Sequence, residues 1–222
     1  MNNKKLGALL LALASTSTFA GTMGGVMAPE RFLLIEGGVS YSHSYYQDDA
    51  VFAESATGVT PNGFRIDLNN FYPNDFFGGY IGASIYLPQD WLMNMRYDMY
   101  GKKSKFNEFA ETRISIAPAR LSFTLDKVFG DFRAFSYGIG GGVVVENTND
   151  GDALIAVNTF NPASESIQGR TRIDPLVEGF AMYRFVNNFG VKFNLGYQIP
   201  VNSKFGDGDL NLNLGLNYAF PI

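Results

Sequence analysis

The chain has 222 residues, no cysteine, and 17 Lys plus Arg against 21 Asp plus Glu, for a formal charge of −4. Disulfides, thiolate metal sites and a lipid-modified N-terminal cysteine are thereby excluded, and without a basic run nucleic-acid binding is not expected. Charged residues are 17% of the chain, below the ~25% of soluble domains, and no later stretch has the roughly eighteen uninterrupted apolar residues of a spanning helix, so any membrane crossing falls to strands.

Lys4 and Lys5, the apolar run 6–14 and the small residues ending at Ala20 have the form of a secretory signal peptide over 1–20, cleaved before Gly21. A short tail, 21–31, follows. From Leu33 onward the hydropathy has period two, the strand period. Leu33, Ile35, Val39 and Tyr41 alternate with Glu36, Ser40 and Ser42, and Phe77, Ile81 and Ile85 alternate with Tyr80, Ser84 and Tyr86. Trp91, Met93, Met95, Tyr97 and Met99 then oppose Asn94, Arg96, Asp98 and Tyr100. Around Pro118 the pattern weakens, but Leu121, Phe123 and Leu125 still alternate with Arg120, Ser122 and Thr124.

The fifth run sets Phe135, Tyr137, Ile139 and Val143 against Gly138, Gly140, Gly142 and Glu146. In the sixth, Val177, Ala181, Tyr183 and Phe185 are placed on the apolar face because Glu178 and Arg184 share the opposite parity with Phe180 and Met182. Val191, Phe193, Leu195, Tyr197 and Ile199 alternate with Lys192, Asn194 and Gln198, and 210–220 alternates Leu or an aromatic with Asn, Gly and Ala. Neither face of this last run resembles the charged surface of a soluble sheet. Lipid outside and packed polar groups inside suit it, and backbone pairing within a bilayer then requires closure.

Short links at 88–90, 126–131 and 186–189 alternate with longer ones at 46–75, 101–112, 147–171 and 202–209. The predicted fold is therefore all-β: an eight-stranded antiparallel up-and-down transmembrane β-barrel over 32–222, with both ends and the tail in the periplasm. Trp91, Phe132, Phe185, Phe189 and Phe220 are expected at the periplasmic rim, and Tyr41, Tyr45, Tyr97 and Tyr100 towards the outer one.

This organisation resembles the small eight-stranded outer-membrane proteins of Gram-negative bacteria, the group that includes the OmpA transmembrane domain, OmpX and OmpW. Its most specific residues are terminal: Asn213, Gly215, Tyr218 and Phe220 match in order the family's polar-x-Gly-x-x-aromatic-x-aromatic signal. The resemblance implies recognition by the barrel assembly machinery, location in the cell outer membrane, and contact with outer-membrane lipid and lipopolysaccharide. The two-domain OmpA arrangement is not expected.

An eight-stranded barrel is only about wide enough for its own side chains. Glu36, Arg96, Asp98, Arg120 and Glu178 fall at similar depth and point inward, with Lys192 and Arg184 lower down, so an ion-paired network is expected to fill the lumen. A polar plug is the expected state, and a narrow ion path gated by those pairs is the alternative. The inward glycines either leave room for water or let Tyr80 and Tyr86 pack.

His43 is the single histidine, and in a strand Ser42 and Ser44 point away from it, so no nucleophile–base pair forms locally. No enzyme activity and no cofactor are expected. Lys102, Lys103 and Lys105 are candidate contacts for lipopolysaccharide phosphates. Asn147, Asn149, Asp150 and Asp152 around Gly151 fail calcium-loop spacing and are read as a turn. The expected protein is a monomer whose four surface loops, of unknown ligand, serve envelope integrity or surface contact. Alternatives are an OmpW-like small-solute channel, a lipid A-modifying enzyme and a soluble lipocalin-like barrel.

Overall fold

Strand β1, Phe32–Tyr46, is hydrogen-bonded on both sides, to the last strand of the chain and to the next long strand after it, and this double pairing closes the sheet. The computed structural model describes residues 31–46, 50–52, 64–70, 72–107, 112–148, 171–185, 188–201 and 206–222. Its other strands are β2 (Ala50–Phe52), β3 (Phe64–Ile66), β4 (Asp75–Leu87), β5 (Trp91–Tyr100), β6 (Lys103–Asn107), β7 (Thr112–Ile116) and β8 (Pro118–Gly130). They continue with β9 (Phe135–Thr148), β10 (Thr171–Arg184), β11 (Phe189–Gln198) and β12 (Gly206–Pro221). The closed order is β1, β12, β11, β10, β9, β8, β5, β4, antiparallel throughout, while β2–β3 and β6–β7 are separate ladders within the first two long connections. Signal peptide, tail up to residue 30 and the 149–152 cluster lie outside the described residues.

The alternating faces fall as the hydropathy demands. On β12 Leu214 and Leu216 are 51% and 64% exposed, whereas Asn213 and Asn217 are each 2% exposed. In the sixth strand Glu178, Phe180 and Met182 turn inward and Tyr183 outward. The apolar positions form the outer wall; the polar ones fill the lumen.

Several boundaries differ from the sequence reading. The second short link is 131–134 rather than 126–131, because 126–130 stays in register with β9, Asp126 opposite Gly140 and Gly130 opposite Ser136. Asp and Lys look like turn residues, but here alternation wins: Asp126 faces the lumen and is fully buried. The chain leaves β8 at Gly130, whose φ of 88° suits glycine. The sixth strand begins at Thr171, where the third long link was expected to end, and tolerates Pro175 beside the barrel's upper edge, where Pro175 O accepts from Ile199 N at 2.9 Å. Two expected rim aromatics turn inward: Phe132 is 6% and Tyr100 7% exposed.

The inward glycines of β9 make room for neither Tyr80 nor Tyr86. A Cβ at Gly138 would overlap the Phe180 ring, and one at Gly140 the Asp126 carboxylate. The row is thus occupied by a ring and an acid from adjoining strands.

Candidate functional site

At the short-turn end the lumen is apolar. Leu34, Leu92, Val128, Phe132, Phe180 and Met182 form one buried cluster, and Phe32 and Tyr86 pack against it. Phe132 enters from the 131–134 turn and stacks on Tyr86 with centroids 4.0 Å apart. Arg184, expected in the ionic network, stands apart from it. Its guanidinium lies 4.5 Å over the Phe132 ring and Nε donates to Phe132 O at 3.1 Å, so it closes the plug by cation–π contact and backbone hydrogen bonding.

Above this plug Lys192 pairs with Glu36 at 3.2 Å, both side chains 0% exposed, and donates to Asn94 Oδ1 at 3.0 Å. Asn94 Nδ2 in turn donates to Asp126 Oδ2 at 2.7 Å. One layer higher, Arg96 bridges Asp98 at 3.2 Å and Glu178 at 3.1 Å. Asp98 also accepts from Ser40 Oγ at 2.8 Å and Asn213 Nδ2 at 2.5 Å. The uppermost layer is centred on Arg120, which meets Glu146 at 2.6 Å, Asp209 at 3.1 Å and Ser42 at 2.5 Å, and Arg172, which meets Asp174 at 2.7 Å. Each buried charge thereby gains an opposite charge or a hydrogen bond, the condition for keeping it out of water.

Sequence reasoning missed Asp126, Glu146, Arg172, Asp174 and Asp209 as network members. Glu146 was visible, having the parity of the inward glycines. Asp209 continues the inward Asn211–Asn213 series, and Arg172 and Asp174 share the inward parity of Glu178, although faces in the sixth strand were assigned only from Val177 onward.

The long-loop mouth is partly covered by residues 67–70 and 72–74. Asn69 imitates a strand partner for Tyr46, accepting from its N–H at 3.1 Å and donating to its carbonyl at 2.8 Å. Asn74 ties this arrangement to Ser44 O at 3.2 Å. Leu68 and Tyr72 are buried beneath, and burial pushes the Tyr72 phenol up to about 12. A pocket of about 60 Å³ remains among Tyr46, Phe76, Ile116, Arg120, Glu146 and Arg172. Among the described residues no group of three or more His, Asp or Glu could hold a metal ion.

On the outer wall, His43 finds its partner on the neighbouring strand: Nδ1 lies 2.8 Å from Asp75 Oδ1. Ser42 and Ser44 instead enter the lumen, against Arg120 and Asp209. Lys102 and Lys103 are exposed, whereas Lys105 Nζ donates to Asn69 O at 2.7 Å. At the terminal strand, Tyr218 and Phe220 meet edge to face on the outer wall at 4.7 Å, while Asn213 and Gly215 face the lumen.

Neither a family model nor a curated protein sequence matches this chain. Solved structures match at the level of fold. OprG of Pseudomonas aeruginosa superposes with a TM-score of 0.62 at 11% identity, covering 85% of this chain and 95% of that one. Ail of Yersinia pestis gives 0.50 at 14% identity, covering 86% and 99%, and neisserial surface protein A gives 0.50 at 13%, covering 86% and 97%. The chain has the fold of the small outer-membrane barrels. The apolar outer wall is then the surface a transmembrane barrel presents to hydrocarbon.

Proposed function

We propose that this protein is a monomeric integral barrel of the outer membrane that acts in envelope integrity or surface contact through its long loops, and does not pass solutes. The observation supporting this reading is obstruction in series: an apolar plug of Leu34, Phe132, Phe180 and Met182 lies beneath stacked ion-pair layers. An ion would have to cross unsolvated rings after breaking the pairs around Lys192 and Arg96, and each step is expensive. In this reading the short turns lie in the periplasm, and Asn213, Gly215, Tyr218 and Phe220 serve the assembly machinery. No reaction is assigned, since the hydroxyls beside His43 belong to the lumen.

Reconstitution into a planar bilayer tests the sealed state directly. Fewer unitary openings than in a porin control by orders of magnitude are expected, together with recovery of the native protein in outer-membrane fractions. Reproducible single-channel steps would replace this reading with the small-solute channel.

A further inference from the structure

At the long-loop rim His43 on β1 and Asp75 at the head of β4 face outward on paired strands, and Lys103 opens β6 just beyond the end of β5. His43 and Asp75 are directly paired. Gly78 pairs with Tyr100, and Gly101 N donates to Phe77 O at 2.9 Å. Lys103 follows Gly101 by two residues and lies near enough for its charge to act on the Asp75 carboxylate.

The row has internal order. Asp75 Oδ1 accepts the Tyr41 hydroxyl at 2.6 Å and faces His43 Nδ1 at 2.8 Å, while Tyr45 meets the imidazole edge-on at 4.7 Å. With Nδ1–H directed at Asp75, Nε2 is the ring nitrogen left for an outside partner. The His43 side chain is 31% exposed. Directly below, Tyr41 and Phe77 pack at 4.9 Å, and beneath them the outward positions are Val39, Gly79, Met99 and Tyr97. Among the described outward residues of the barrel strands, no other charged side chain stands between this row and Lys127 at the opposite rim.

Resting on the outer-membrane reading above, we propose that His43 and Lys103 bind a phosphate group of an outer-leaflet glycolipid, whose acyl chains descend along the Tyr41–Phe77 wall. His43 faces, and Lys103 lies near, a carboxylate whose hydrogen bond to Nδ1 holds the imidazole in place. A phosphate would accept from Lys103 Nζ and, with Nδ1–H kept on Asp75, from Nε2–H of the imidazolium form of His43, bringing the opposite charge to the site. Lys105 takes no part, because its ammonium is held by Asn69.

The test titrates the purified, folded barrel in detergent micelles with bisphosphorylated lipid A, reading bound lipid by native mass spectrometry. The double variant His43→Gln/Lys103→Gln is expected to bind roughly tenfold more weakly, with its heat-dependent gel shift unchanged. Lys127→Gln should bind as wild type does, and dephosphorylated lipid A should bind the wild type as weakly as the intact lipid binds the double variant. Equal affinity of wild type and double variant, or full retention of the dephosphorylated lipid, overturns the site. Loss of binding on Lys127→Gln alone would move the anionic leaflet to the other rim, overturning the orientation as well. Failure of the membrane reading itself would be seen separately, by fractionation.

Discussion

Lys192 and Asp126 sit in the same buried layer and are expected to respond to neutralisation in opposite ways. Lys192 has Glu36 at 3.2 Å and the Phe180 ring at 5.4 Å, so Glu36→Gln would leave a fully buried ammonium without its counter-charge. Breaking such a pair from one side costs about 3–5 kcal/mol. Asp126 receives Asn94 on Oδ2, but its Oδ1 has no hydrogen-bond partner, and among the described residues no cation lies within ion-pair distance. Asp126→Asn keeps the shape, removes a negative charge near Glu178, and should be neutral or stabilising. Urea unfolding of the two variants in phospholipid vesicles checks this, with the midpoint falling for Glu36→Gln and holding or rising for Asp126→Asn. A fall of similar size in both would show that Asp126 draws on a compensating charge.

At the scale of the element, strand β12 shows how much alternation alone can carry. Leu210 to Phe220 gave strand, face and likeness to barrel termini from a run of eleven letters, because period-two hydropathy and the backbone's need for partners leave few other solutions. Face assignment also held in the ambiguous sixth strand, where Glu178 and Arg184 settled the parity. Turns were less legible. Asp126 and Lys127 carry turn-like chemistry, yet the pairing with β9 overrides it, and Phe132 has the composition of a rim aromatic although its turn folds it inward. Local letters do not encode which way a four-residue link bends. The same limit applies to the ionic network: parity identifies inward charges, but not that Arg184 meets rings while Arg172 meets Asp174. Energetics differ across the strand as well. Leu214→Arg would carry a charge into hydrocarbon and cost about 2–4 kcal/mol near mid-bilayer. Asn213 donates to Asp98 at 2.5 Å and Ser40 at 2.8 Å, so Asn213→Ser should cost about 1–3 kcal/mol by leaving a buried carboxylate short of a donor. Unfolding in lipid would show Leu214→Arg to be at least as damaging; no loss there would contradict the outward assignment.

For the whole molecule the decisive event is closure of β1 on β12, and the seam has a narrow point where Gly38 and Gly215 pair directly, both facing inward. A side chain on either glycine would meet the opposite backbone, and at Gly215 also the Tyr80 hydroxyl, so the strands could not hold their spacing. Backbone cannot give way as the end of a flexible side chain can. Gly215→Val is therefore expected to leave strand-rich but unclosed protein when refolded into detergent micelles: circular dichroism retains β signal, while the compact, heat-shiftable gel band is lost. Gly215 also belongs to the terminal signal proposed for assembly, and refolding without any machinery separates the two roles. Phe220→Ala, which changes the signal on the outer wall and adds no bulk at the inward glycine pair of the seam, should give the heat-shiftable band in micelles and fall in yield only in cells. Wild-type refolding of Gly215→Val in micelles would show that the seam can widen, and the glycine pair would then have no part in closure.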